Sequence, residues 1–215
     1  MKRREFGQYC GLARALELVG ERWTLLIVRE LLARPCRFTD LLDNLPGIPS
    51  NVLSSRLKEL EGAQIVERRI APAPHRGVVY AITEDGRELE PAVLSLARWG
   101  NRHLGERNGE IVPASTLVLS LRAMFNRQAA AGVTATWEIR AADAVLNAVV
   151  TDGTLTASGG SAPTAPDLVI TISAKEDEVP TFRDIITALR DETAQVTGRP
   201  ELLSTFLQVF APPAA

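Results

Sequence analysis

Asn51, Ser54, Ser55 and Lys58 recur at spacings that place them on one face of a helix, opposite Val52, Leu53, Leu57 and Leu60. Three small hydrogen-bonding residues and a cation suit a surface offering both base edges and phosphates, as the DNA major groove does. A merely solvated helix face has the same composition. On the groove reading, Asn51 and Ser54 meet base edges, while Ser50 and Lys58 meet phosphates. Arg56 lies toward the buried side of the same helix, where it either braces the domain or reaches a neighbouring phosphate. Thr39 opens a shorter helix upstream, whose N-terminal amides suit a phosphate. Downstream, Arg76 stands beside His75 at a basic tip and fits a minor-groove or phosphate contact; His75 reads as a plain loop histidine.

Cysteine supplies the other reactive chemistry. Cys10 fits a sensing thiol if it is exposed and its pKa is lowered, with Arg3 or Arg4 helping electrostatically; otherwise it is a small residue packed at an interface. Cys36 reads as a loop or packing residue. No catalytic set emerges. Asp167 and Glu138 lack a nucleophile–base partner, and His103 stands apart from other candidates. The sequence shows neither a Gly-rich phosphate loop nor metal-ligand spacing, so no catalytic residue, metal or cofactor is expected.

Such side chains need a frame. Two helices open the chain, Tyr9–Gly20 with Leu12, Leu16 and Val19, and Glu21–Ala33, which the Arg34-Pro35 step stops. A short helix with Phe38, Leu41, Leu42 and Leu45 ends in the Pro46-Gly47-Ile48-Pro49 turn, after which Ser50 caps the polar-faced helix. Strands Val66–Ile70 and Val78–Ile82 then flank the basic tip, completing a winged helix-turn-helix pattern. Thr83 caps a long helix from Glu84, whose stripe of Leu89, Val93, Leu96 and Trp99 continues toward Leu104. Trp23 and Phe38 read as core. The first and last of these helices carry more apolar surface than one small core consumes, which a symmetric homodimer would use.

A polar break at Asn108-Gly109-Glu110, followed by Pro113, sets a boundary between residues 1–108 and 109–215. The first part carries 17 Lys/Arg against 14 Asp/Glu, the second 7 against 12. Beyond the break come a helix with Leu117, Leu121, Met124 and Phe125, then strands Ala135–Ile139, Val145–Thr151 and Thr154–Ser158. Asp152-Gly153 is a strong hairpin signal between the last two. A further strand, Asp167–Ser173, precedes a helix with Phe182, Ile185, Ile186 and Leu189, a short strand at Gln195–Thr197 and a closing helix, Pro200–Phe210. The expected fold class is therefore α+β: an N-terminal winged helix-turn-helix, then a mostly antiparallel sheet with helices. No run of about 18 apolar residues occurs, so no membrane partner is expected and a cytoplasmic location is.

The first hundred residues resemble the HxlR family of bacterial transcriptional regulators. The carrying pieces are Cys10, Gly20-Glu21-Arg22-Trp23-Thr24-Leu25-Leu26-Ile27, Arg37-Phe38-Thr39-Asp40-Leu41, Leu45-Pro46-Gly47-Ile48, Leu53 to Glu61, and Val79 to Gly86, ending at Trp99. The resemblance implies a homodimeric regulator, expected to be a repressor, that binds a double-stranded, pseudo-palindromic operator. It also implies dimer contacts through the N-terminal helix and the helix after the wing, and places Cys10 where some relatives sense oxidants. The second half is similar to sterol-carrier-type domains through Val149 to Leu155, Pro166 to Ile172 and Val196 to Leu203. It departs from them in a short Ser173–Thr197 segment and in lacking a Gly-centred step in the middle helix. That similarity implies a sheet under helices enclosing an apolar tunnel for a small apolar effector, with Trp137, Ile139, Ile170, Phe182, Phe206 and Phe210 as its lining. The same residues also suffice for an ordinary core. The competing reading is a lipid or small-molecule binding protein whose winged helix makes protein contacts.

Overall fold

The computed structural model describes residues 5–71, 76–173 and 179–210. The chain divides into two compact units, Met1–Leu104 and Gly105–Ala215.

In the first unit, α1 (Gly11–Val19) and α2 (Thr24–Ala33) lead into α3 (Phe38–Asn44) and α4 (Ser50–Gly62). Strands β1 (Val66–Ile70) and β2 (Val78–Ile82) form an antiparallel ribbon, paired from Val66↔Ile82 to Ile70↔Val78. A single bridge joins Cys36 to Tyr80 at the middle of β2, on the edge away from β1. Helices α5 (Glu84–Arg87) and α6 (Glu90–Asn101) close the unit. Ile27, Val28 and Leu31 of α2, Leu41 of α3, and Leu53, Leu57 and Leu60 of α4 are fully buried together. Each such leucine or isoleucine contributes about 1.5–3 kcal/mol by leaving water. Burying that stripe fixes which face of α4 looks outward. Thr83 caps α5 by accepting the Gly86 amide at 2.9 Å and donates to the Gln64 carbonyl at 2.7 Å. Gly86 has no alternative there, because a Cβ would lie 2.2 Å from the Ile65 carbonyl oxygen.

Several expectations change. The helix after the wing is two helices, because Pro91 cannot donate to the Arg87 carbonyl and its ring crowds that turn. Ser50 is the first helical residue of α4 rather than its cap. Pro49, extended at φ −68°, ψ 141°, holds the cap position, and no side chain caps the helix. Trp23 and Phe38 are half-buried, not core. Trp23 adopts a left-handed backbone (φ 77°) before α2, which sets its ring at the rim with the Arg22 guanidinium 5.1 Å over it. Tyr9, Leu12, Leu16, Leu96 and Trp99 are exposed.

In the second unit, α7 (Ala114–Met124) precedes β3 (Thr134–Ala141), β4 (Ala144–Thr151), β5 (Thr154–Gly159) and β6 (Leu168–Ile172), then α8 (Phe182–Arg190), β7 (Gln195–Gly198) and α9 (Leu202–Phe210). The strand order is β5-β4-β3-β6-β7, with β3 and β6 parallel and every other pair antiparallel. Both β3–β4 and β4–β5 are two-residue hairpins. Asp152-Gly153 supplies positive φ at both turn positions, whereas Ala142 takes φ 53° without help from glycine. Strand alternation turns Trp137, Ile139, Leu146, Ala148, Leu168 and Ile170 to one face, which is fully buried. On it, Trp137 meets Phe206 and Phe210 of α9 at ring-centroid distances of 5.9 and 5.8 Å. Helix α7 packs on β4 and β5.

Candidate nucleic-acid interface

The buried leucines of α4 turn Ser50, Asn51, Ser54, Ser55 and Lys58 to the surface, where all five are exposed. Among the described residues, the side chains of Asn51, Ser54 and Lys58 have no hydrogen bond or ion pair, so their donors are available to a ligand. Ser55 donates to Glu59 Oε1 at 3.2 Å. Thr39 is exposed in the first turn of α3. Arg76 is exposed at the end of the wing, whereas His75 beside it lies outside the described residues, as do Arg3 and Arg4. The result is a contiguous helical face of neutral hydrogen-bonding groups with one cation, chemistry that suits a surface offering both hydrogen-bonding edges and anions.

The arginines beside this face and on the wing strands are less available than the sequence suggests. Arg68 pairs with Glu61 at 2.6 Å and lies over the Tyr80 ring; both the Glu61 hydrogen bond and the charges of Tyr80 and Glu61 raise its pKa. Arg69 pairs with Glu67. Arg56 is engaged with Glu59 and, at 3.3 Å, with Glu21. Glu30, buried in α2, accepts from Arg29 at 2.7 Å and from Asn44 at the end of α3 at 3.0 Å, tying those helices together. Neither the Glu21–Arg56 nor the Glu30–Asn44 pairing has a sequence signal, since partners 35 and 14 residues apart leave no periodic trace.

The two cysteines differ. Cys10 is exposed immediately before α1, and the amides of Ala13 and Leu12 lower its thiol pKa, although it makes no formal cap hydrogen bond. Cys36 is buried, and burial pushes its thiol up to about 12. At neutral pH, Cys36 is a packed thiol and Cys10 is the one open to reagents.

In the second unit, Trp137, Ile139, Ile170, Phe206 and Phe210 are all buried, and Phe182 is half-buried. Phe206 and Phe210 stack at 4.8 Å, and Phe125 reaches Phe210 at 5.9 Å. These rings pack on one another. On the opposite sheet face, Glu138 and Asn147 are also buried and hold the Gly159–Pro166 segment: Asn147 Nδ2 donates to the carbonyls of Gly160 (3.0 Å) and Ser161 (3.2 Å), and Glu138 Oε2 accepts the Ala162 amide at 3.0 Å. Burial pushes the Glu138 carboxyl up, but the Ala162 amide and the Arg140 guanidinium outweigh it and hold it below the usual carboxylate range. Glu138 thus serves as a backbone anchor. Among the described residues no group of three or more His, Cys, Asp or Glu could hold a metal ion, and no helix is long and apolar enough to cross a membrane.

Residues 18–108 match the model of the HxlR-like helix-turn-helix family. The HTH-type transcriptional regulator YodB of Bacillus subtilis is 36% identical over 88 residues, which are 41% of this chain and 79% of that protein. The chain belongs to the HxlR-like helix-turn-helix family. A Synechocystis HTH-type regulator, sll1512, is 32% identical over 106 residues and 78% of its length. The Mycobacterium tuberculosis regulator Rv3095 is 44% identical over 98 residues, 46% of this HxlR-like chain and 61% of the relative. The match to that relative therefore spans about three-fifths of its length. Among solved structures, the reduced form of YodB aligns with 47% of this chain and 100% of its own, at 32% identity and a TM-score of 0.40. The family match covers residues 18–108 of the HxlR-like chain, so residues 109–215 lie outside it.

Proposed function

We propose that this HxlR-like chain is a DNA-binding transcriptional regulator, a repressor that reads a pseudo-palindromic operator as a homodimer. The observation that carries this reading is the exposed α4 face, with its free Asn51, Ser54 and Lys58 side chains. Asn51 and Ser54 would contact base edges, Ser50, Ser55 and Lys58 the phosphates beside them, and Thr39 and Arg76 the flanking backbone. Two such helices, one helical turn apart (about 34–36 Å), would enter successive major grooves. The exposed Leu12, Leu16, Leu96 and Trp99 support the homodimer, because water-facing leucines and tryptophan are costly unless a second copy covers them. Cys10, exposed with a lowered pKa, is proposed as an oxidant-responsive position.

For residues 109–215 we propose a sterol-carrier-type effector domain, a reading supported by the mixed sheet with helices on one face. An apolar effector entering there would have to separate the Trp137–Phe206–Phe210 rings, and would alter DNA occupancy only by preferring one arrangement of the two heads.

The test is Asn51→Ala with Lys58→Ala, titrated against duplex DNA enriched by the wild-type chain from a randomised pool. Binding is expected to fall by about 10- to 100-fold. Lys58→Ala alone should flatten the salt dependence by about one phosphate contact. Wild-type affinity in the double variant would remove α4 as the reading helix and favour the protein-contact alternative.

A further inference from the structure

Arg56 neighbours the exposed serines of α4, yet its side chain is only 13% exposed, against 46% for Glu21. Its donors face the protein. One terminal nitrogen meets Glu59 on the same helix, and the other reaches Glu21 Oε2 at 3.3 Å. Nε is buried and has no partner among the described residues. Glu21 lies in the turn between α1 and α2, directly after Gly20, whose amide closes α1 on the Leu16 carbonyl at 2.9 Å. Backbone therefore holds that turn on one side, and the guanidinium of the DNA-reading helix holds it on the other.

We infer that Arg56 is a positioning residue: through Glu21 it fixes the rotation of α4 against the α1–α2 turn, and it does not contact phosphate. This rests on the DNA reading proposed above. A guanidinium so covered and doubly paired offers little to an incoming phosphate. Its pairing with Glu59 also neutralises an exposed carboxylate that would otherwise repel the DNA backbone.

The two roles predict opposite signs for one substitution. If Glu21 merely held Arg56 back from a phosphate, Glu21→Gln would free the guanidinium, remove a repulsive charge and tighten DNA binding. If Arg56 positions α4 through Glu21, the same change loosens it. The experiment titrates a duplex about three helical turns long, enriched by the wild-type chain from a randomised pool, at several salt concentrations. Glu21→Gln is expected to weaken binding about threefold with an unchanged salt slope. Arg56→Lys keeps the charge but loses the fork and should weaken binding comparably, and the double variant should be no worse than either single one. The melting temperature of Glu21→Gln, at a half-exposed site, should stay within a few degrees of wild type, separating repositioning from unfolding.

Unchanged or tighter binding by Glu21→Gln, wild-type affinity in Arg56→Lys, or a slope flattened by about one in Arg56→Gln overturns the inference. Asn51→Ala/Lys58→Ala in the same titration locates any failure. If that pair binds like wild type, the α4 reading falls and the inference with it. If it loses binding while Glu21→Gln does not, only the inference falls.

Discussion

The two units use their side chains in opposite directions. In the first, α4 turns unpaired polar groups to the surface, and Tyr9, Leu12, Leu16, Leu96 and Trp99 are left exposed beside a small leucine core. In the second, the large aromatics pack on one another, and the buried Glu138 and Asn147 hold backbone, where the buried Glu30 of the first unit holds the Arg29 and Asn44 side chains. A surface with free donors and uncovered apolar residues is suited to meeting other molecules. A unit whose polar groups are internally satisfied is suited to holding its shape. Burial, rather than residue type, thus separates the unit that leaves polar and apolar groups uncovered from the one that packs them internally.

The sharpest way to break the comparison is Trp137→Ala. If the rings are packing in a closed core, the second unit should lose about 3–5 kcal/mol, read as an earlier unfolding transition by calorimetry. An unchanged transition would mean that the cluster tolerates a vacancy, as a ligand-accommodating site would. Next, Leu12→Glu should weaken self-association by about 2 kcal/mol, or roughly 30-fold, in sedimentation equilibrium while leaving far-UV circular dichroism intact. Unaltered association would show that the exposed stripe is not where copies meet.

Glu138→Gln comes third, at about 1–3 kcal/mol of stability near neutral pH. The sign follows from its lowered pKa. A carboxylate depressed in the folded chain stabilises it above the unfolded value, near 4.3, and that contribution is lost as pH falls through the folded value. Wild type should therefore lose stability through that acid window more steeply than Glu138→Gln, measured by denaturant titration at a series of pH values; parallel curves would sink the anchor. The smallest effect is Thr83→Ala, about 1 kcal/mol, because the α5 cap is one local bond on a partly exposed turn.

Legibility followed the range of the interaction. The faces of α4, the β4–β5 hairpin at Asp152-Gly153 and the Thr83 cap were readable, since each depends on neighbours two to four residues away. The β3–β4 turn was harder to see, because Ala142 adopts a positive φ that its side chain does not advertise. Pro91 marks the break between α5 and α6, but the apolar stripe continues past it, so periodicity alone joins the two helices. For the site, the sequence singled out the exposed residues and left Arg56 with two roles.

By itself, then, the sequence determined which residues can share a face: a 3.6-residue period for α4 and a two-residue period for the strands follow from backbone geometry alone. Only the tertiary structure decided which faces are covered. It paired β3 with β6 in parallel across an intervening hairpin, set Phe206 and Phe210 against Trp137, folded the Gly159–Pro166 segment onto Glu138, and gave Arg56 to Glu21. The physical reason is that such partners lie many residues apart. Their meeting is selected by how whole elements bury apolar surface and satisfy buried polar groups, and no local pattern of residue types encodes that choice.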